Sequence, residues 1–412
     1  MGTGVVVMAM AKSARKPTSV STESDDLRIA MVGLGLRGNL LDVAHRPGRG
    51  GVIVGLCDLD EDLLGYRADQ FGGAPWTTTS FADVLEADDV DAVIIATPDH
   101  IHEEMVIAAL RAGKSTFAEK PLAITTAGCD RMLAAAADVA AAGVRLYVGH
   151  NLRHYNAIRT MKQLIDNGAV GEVQAVWCRH FVGPGGDFYF KDWHAQRRHV
   201  TSLLLQKGAH DIDVIHWLAG GVSRRVQAFG RLAVYGRVAD RHDGTKRDDW
   251  FDQDKHWPPL ANTGLHPNID VEDLSMMQMQ LSNGVLASYQ ECHFTPDYWR
   301  NYTVIGTDGR LENFGDVDGV VRVWNRRGGY SERGNIEVPF TPGRGGHGGA
   351  DDALMAEFIE FVRRGGATQT SPIGAREAVA AGCAAAESLR SGGIPVAVDE
   401  PDPDVVRRLT GG

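Results

Sequence analysis

One short stretch constrains the fold of this chain more than any other. Residues 27–32 (LRIAMV) form a short apolar run that ends on Gly33-Leu34-Gly35-Leu36-Arg37-Gly38, and residues 36–44 then read as a helix. A strand running through a glycine triplet into a helix is the first half of a strand–helix–strand unit. Its parallel strands need cover on both faces. In such a turn Gly33 permits the tight bend, Gly35 lets the backbone approach a bound pyrophosphate, and Gly38 lets the helix lie close on the strand. The helix N-terminus adds free N–H groups and a positive dipole. A second apolar strand, 52–57, ends at Asp58, 20 residues beyond Gly38. A carboxylate there can accept from both ribose hydroxyls and repels a 2′-phosphate. Leu59, not Arg, follows it, which favours NAD over NADP. The plainer alternative, a glycine-rich turn and a surface Asp, lacks a reason for the strand before and the helix after.

The alternation continues. Strand 91–97 (DAVIIAT), helix 102–112, strand 115–119, the Ala-rich helix 125–142 and strand 144–149 predict a parallel sheet covered on both faces over residues 27–150. After Gly149 the pattern changes. Helix 154–167, strand 173–181 and helix 203–218 lead into a region dominated by strands. Asn283-Gly284 and Asp308-Gly309 are hairpin signals there. Helices at 350–363 and 375–389, within about 350–392, close the chain. The expectation is an α/β N-terminal domain followed by an α+β domain over 151–412, with an open, mostly antiparallel sheet and helices on one face. Residues 1–26, rich in Ser, Thr and charge after a short apolar stretch, read as a disordered tail. The polar segment 237–272 is long for a compact domain and reads as functional or disordered. Within it, Asp248 to Asp252 around Trp250 can form a substrate lid or a solvated charge cluster.

The length of 412 residues allows two or three well-buried domains. A formal net charge of −11, with no long basic run, argues against a nucleic-acid partner. No apolar run is long enough to span a bilayer. The five cysteines are scattered, odd in number and without CxxC spacing, so reduced thiols in a cytoplasmic protein are expected, with no structural zinc. His150 and His154 have an i,i+4 spacing that permits metal binding on a helix, but no third ligand is evident and no metal is expected.

Glu119-Lys120-Pro121 follows the 115–119 strand at the carboxyl edge of the expected sheet, where open α/β folds bind ligands. Pro121 disfavours a helical conformation at Lys120. Glu119 can steady the ammonium. A lysine beside a cationic nicotinamide and partly desolvated has a lowered pKa and can take the proton of an alcohol while hydride leaves the same carbon. Taken alone, such a turn is more often a surface loop; its context reverses that reading.

These motifs, together with CDLD at 57–60, ATPDHIH at 96–102, AEKPLA at 118–123, GHNLRHYN at 149–156 and KGAHDIDVIHWLAG at 207–220, make the chain similar to the Gfo/Idh/MocA oxidoreductases. That family is named for glucose–fructose oxidoreductase and inositol dehydrogenase. The resemblance covers nearly everything after residue 26. It implies a Rossmann domain, an open-faced second domain whose sheet forms oligomer contacts (a homodimer or homotetramer), and a small sugar or polyol as substrate. It implies Lys120 as the acid/base residue, Thr97, Pro98 and His102 beside the nicotinamide, and Asn151 and Arg153 near the active-site floor. It also implies His210 as the histidine that hydrogen-bonds the reacting hydroxyl, with Asp213 nearly on the same helical face.

The chain departs from the family pattern at one place. Inositol dehydrogenase-like members carry an aspartate four residues before the histidine; here Gln206 stands there, followed by Lys207. Either Lys120 and His210 suffice, or Lys207 has acquired a role. Trp193 and His194 can touch a sugar or lie on a solvated loop. His347 can close over the site or stand by at a Gly-rich helix entry. The leading expectation is an NAD-dependent oxidoreductase acting on a ring hydroxyl of a sugar, inositol or glycoside. The alternatives are cleavage of a glycoside by transient oxidation and elimination with tightly held NAD, and a non-catalytic NAD-binding regulator.

Overall fold

The computed structural model describes residues 26–244, 256–343 and 346–411, so the Asp248 to Asp252 cluster lies outside the described residues. Six strands form the first sheet: β1 (Leu27–Val32), β2 (Gly51–Cys57), β3 (Trp76–Thr78), β4 (Ala92–Ile95), β5 (Ser115–Ala118) and β6 (Leu146–Val148). Their order is 3-2-1-4-5-6 and every pairing is parallel. β4 and β5 are buried at every residue, as strands covered on both faces must be. The order reverses between β1 and β4, so the crevice at the carboxyl ends opens where the glycine turn and the residues after β4 meet.

Nine strands form the second sheet: β7 (Val173–Phe181), β8 (Ser223–Arg231), β9 (Leu274–Leu281), β10 (Leu286–Cys292), β11 (Trp299–Gly306), β12 (Arg310–Phe314), β13 (Gly319–Trp324), β14 (Ile336–Phe340) and β15 (Val396–Ala397). They lie in the order 14-13-12-11-7-10-9-8-15. Only β7 and β10 pair in parallel. Both expected hairpins are present, β9–β10 across Asn283-Gly284 and β11–β12 across Asp308-Gly309. The residues of β9 alternate between buried and exposed. Met277, Met279, Leu281 and Tyr289 pack inward with Ile212, Ile215 and Ala381 of the covering helices. The outer face leaves Trp177, Phe229, Met276 and Leu286 each about half exposed or more.

Two expected helices differ from their periodicity. Residues 36–44 form a 3-10 turn, Leu36–Asn39, and then a short α-helix, Leu40–Ala44, so the dipole behind the glycine turn is weaker than a full helix would give. Residues 203–218 split into Leu203–Gln206 and Gly208–Ala219, with Lys207 at the junction. The closing helices also divide their allegiance. Ala350–Arg364 buries Leu354, Met355 and Phe358 against Ile29, Phe117 and Tyr147 of the first sheet. Pro372–Arg390 lies on β8 and the helix of the second layer. The chain thus returns to its N-terminal core after β14, before β15 completes the second sheet. All five cysteines are free thiols. Among the described residues no helix is long and apolar enough to cross a membrane.

Candidate active site

The glycine turn is held on two sides and open on a third. Gly33 has φ of 86°, and a Cβ there would stand 2.6 Å from the Ala96 carbonyl oxygen, so the turn is packed directly on the end of β4. A Cβ on Gly35 would meet nothing within 4 Å, which leaves that side of the backbone open to a ligand. The Leu34 N–H donates to Asp58 Oδ2 at 2.7 Å and the Asp60 N–H to its Oδ1 at 3.0 Å, so the carboxylate after β2 braces the turn. Leu59 is exposed beside it. These features fit a dinucleotide: a backbone turn open at Gly35 and a carboxylate at the end of the neighbouring strand β2.

Arg37, within the same turn, reaches across to the catalytic side. Its Nε donates to Glu119 Oε1 at 2.6 Å and its Nη2 to Asp351 Oδ1 at 3.1 Å. His347 Nδ1 lies 2.6 Å from Asp351 Oδ2 and Asn151 Nδ2 3.3 Å from Asp351 Oδ1. Burial works to raise the pKa of Asp351, but its contacts with His347 and Arg37 hold it well below the usual carboxylate range. His347 and Asn151 are therefore gathered around Asp351, next to the glycine turn. Glu119 is taken up by Arg37 and by the backbone N–H of Lys120, at 2.9 Å, so it steadies the Lys120 ammonium by charge rather than by a hydrogen bond.

Lys120 stands at the end of β5, preceding a cis bond to Pro121. Its Nζ donates to the backbone carbonyl of Gln206 at 3.1 Å. Burial lowers its pKa, opposed by the carboxylates of Asp99 and Glu119 and reinforced by Arg37 and Arg300. Lys207 lies near it and is lowered to about 7, by burial first and then by the Arg300 and Lys120 cations. Its Nζ sits 5.7 Å from the Tyr189 ring. His210 follows one turn later. Burial, then the charges of Lys120 and Lys207, hold its imidazole neutral, and its Nδ1 has no protein partner. Lys120, Lys207 and His210 are deeply enclosed yet keep partial solvent accessibility. Lys207 and His210 both feel the Lys120 charge.

The other expected residues settle elsewhere in the surroundings. His102 is fully buried and joins the Thr97 carbonyl (2.8 Å) to the Pro121 carbonyl (2.9 Å), which fixes the loop after β4 to the turn after β5. Thr97 and Pro98 sit in that loop, immediately before the 3-10 turn Asp99–Ile101. Arg153 and Asp213 bind each other through two contacts of 2.7 Å, and Arg153 also donates to the Gln369 carbonyl. This pair is committed to the protein. His150 faces Asp213 at 3.7 Å and His154 faces Glu357 at 3.6 Å, so the i,i+4 histidines turn to different partners. Trp193 stacks on His194 with ring centroids 3.6 Å apart, and His194 Nδ1 lies 2.6 Å from Asp192. Tyr189 lies between His194 and Lys207.

Two features escaped the sequence reading. Asp99 is buried, its Oδ2 has no hydrogen-bond partner among the described residues, and burial pushes its pKa up to about 8. Its only sequence signal was its place inside ATPDHIH. Beneath Lys207, Asp211 accepts from His180 Nδ1 at 2.9 Å and from the Tyr302 hydroxyl, and pairs with Arg300 at 3.0 Å. These partners come from β7 and β11, too distant in sequence to be joined without the fold.

Comparison with known proteins agrees with this architecture. Residues 27–150 match the oxidoreductase family with an NAD-binding Rossmann fold, and residues 158–312 match the GFO/IDH/MocA C-terminal domain. The chain belongs to the Gfo/Idh/MocA family of oxidoreductases. It is 34% identical over 198 residues to inositol 2-dehydrogenase of Ralstonia nicotianae, covering 47% of this chain and 55% of that protein. The match therefore spans about half the length of that relative. It is 23% identical over 357 residues to the putative oxidoreductase YteT of Bacillus subtilis, covering 74% and 82%. Among solved structures, levoglucosan dehydrogenase in complex with NADH superposes with a TM-score of 0.74 at 21% identity, covering 91% of this chain and all of that one. The myo-inositol 2-dehydrogenase of Lactobacillus plantarum gives 0.68 at 20% identity, over 91% and 100%. At these identities the superpositions speak to the fold alone.

Proposed function

We propose that this protein is an NAD-dependent dehydrogenase of a ring hydroxyl on a sugar or polyol, with Lys120 as acid/base. The observation that carries the reading is the juxtaposition, beyond the carboxyl edge of the parallel sheet, of Lys120, its basicity lowered by burial, and His210, held neutral by burial and by the Lys120 charge. The kinship with inositol 2-dehydrogenases supports the substrate class. When bound, the nicotinamide supplies a hydride acceptor. The chain's own residues do the rest. A neutral Lys120 amine takes the hydroxyl proton. His210, through the ring nitrogen that no protein group engages, orients the same oxygen. Asp58 holds the ribose hydroxyls, which favours NAD over NADP. Lys207, with a pKa of about 7, lines the cleft and adjusts its charge. The large apolar side chains exposed on the nine-stranded sheet, Trp177, Phe229, Met276 and Leu286, suit a contact with a second copy of the chain.

The test mixes dialysed protein with NAD and a panel of inositols, aldoses and glycosides. NADH accumulation is expected, falling by a factor of roughly 10²–10⁴ in Lys120→Ala. Product without net NADH, with NAD retained through dialysis, would replace net oxidation by an internal redox cycle. A panel that yields neither would reject the substrate class.

A further inference from the structure

Lys207 is a cation close to Lys120 for which the fold supplies no acceptor. It stands at the break between Leu203–Gln206 and Gly208–Ala219. The backbone on either side of it is pinned. The Gln206 carbonyl just before it takes the Lys120 Nζ at 3.1 Å. A Cβ on Gly208, just after it, would stand 3.1 Å from the Tyr289 ring, so this turn sits directly on β10. The side chain is partly exposed and holds its Nζ 5.7 Å from the centre of the Tyr189 ring. Among the described residues that Nζ has no hydrogen-bond acceptor and no ion-pair partner. The acids nearby are engaged elsewhere. Asp211 accepts from His180 Nδ1 at 2.9 Å and pairs with Arg300 at 3.0 Å. Glu291 accepts from the Tyr289 hydroxyl at 3.0 Å. An ammonium has three N–H donors. An aromatic face attracts its charge without supplying an oxygen. Enclosing such a group is costly unless a ligand brings the acceptor.

His210 lies three residues on. Side chains at that spacing are neighbours on a helix surface, about 5–6 Å apart at Cβ. Its Nδ1 also has no partner. Two unengaged polar groups so placed can hold two substituents of one sugar ring, a hydroxyl at His210 and an acidic group at Lys207.

We propose that Lys207 receives a carboxylate carried by the substrate, which makes the preferred substrate a sugar acid. The inference rests on the dehydrogenase reading and names the substrate class within it. A carboxylate at this point supplies the missing oxygen acceptors and restores the charge of the lysine. Burial first, then the Arg300 and Lys120 cations, bring the Lys207 pKa down to about 7, with Asp211 and Glu291 opposing from longer range. An anion brought close favours the ammonium form. Gln206 and Lys207, where related enzymes carry an aspartate before the histidine, remove a negative charge and add a positive one at the same place.

The experiment titrates D-glucuronate and D-galacturonate, and the neutral D-glucose and D-galactose, into the full chain with NADH present, by calorimetry. At least one acid should bind about tenfold tighter than its neutral counterpart. Lys207→Met should weaken binding of that acid by about 10–100-fold, the worth of a hydrogen bond between charged groups, and Lys207→Arg should recover part of it. Acids that bind no tighter than their neutral counterparts overturn the proposal, as does acid binding unmoved by Lys207→Met. If Lys207→Met does not fold, acylation of Lys207 in the parent protein, read by peptide mass spectrometry, decides. The acid should slow it severalfold more than the neutral sugar does, and equal labelling overturns the proposal. Binding of an acid through Lys207 without NADH formation from any sugar or acid supplied with NAD overturns the dehydrogenase reading and leaves the carboxylate site standing. NADH formed from neutral sugars, with no preference for the acids, does the reverse.

Discussion

Arg37→Leu should cost this protein more than its place in a surface turn suggests. The guanidinium is about one-fifth exposed, but the carboxylates it joins, Glu119 and Asp351, are 7% and 1% exposed. Removing one partner from a buried pair leaves the other charge without compensation, which costs about 3–5 kcal/mol. An unfolding entropy of about 2.1 cal/mol/K per residue makes each kcal/mol worth about 1.2 °C in a chain of this size, so Tm should fall by about 4–6 °C. The pH dependence gives a sharper check. The folded-state pKa of Asp351 is depressed, so its contribution is present above the unfolded value of about 3.9 and is lost as pH falls toward the folded one. The gap between parent and variant should be full at neutral pH and should narrow below about pH 4. Thermal melts by circular dichroism, without nucleotide, at neutral pH and at about pH 3.5 measure both. An unchanged Tm, or a deficit equally large at both pH values, would refute the reasoning.

Three further outcomes are expected. Gly33→Ala should destabilise the protein and weaken NAD binding together, because φ of 86° and a backbone oxygen 2.6 Å from the new Cβ leave no room to adjust; melts and NAD titration by fluorescence check it. Asp58→Ala should weaken NAD binding by roughly 10–100-fold, the worth of hydrogen bonds to a charged group, while NADP binding changes less; isothermal titration with both nucleotides reads the ratio. Arg300→Met should lower stability by about 3–5 kcal/mol, since Asp211 is fully buried and takes Arg300 as its only cationic Arg or Lys ion-pair partner among the described residues; urea unfolding measures it, and Asp211→Asn in the same background should recover part of the loss.

The parallel sheet was legible because its signals are local. The 27–32 run meets its glycine turn directly, and β4 (AVII) is a continuous apolar stretch of the kind a doubly covered strand requires. The hairpins at Asn283-Gly284 and Asp308-Gly309 were legible for the same reason. The break at Lys207 was not, because apolar periodicity runs unbroken across it. Neither was the parallel β7–β10 pair, which depends on where two distant strands settle in the sheet.

The sequence by itself determined the sheet that carries the dinucleotide turn, the lysine at its carboxyl edge and the histidine placed one turn beyond Lys207. Only the tertiary structure decided what surrounds them. Lys120 and Gln206 come from separate segments, as do Asp211, His180 and Arg300, and which partner takes up a charge depends on neighbours the chain order does not reveal. Arg153 and Asp213 show the consequence: both residue types suit a sugar, yet folding spends their charges on each other. Backbone preferences act over a few residues and can be read in order. Charge and desolvation act through space, and the fold chooses the partners.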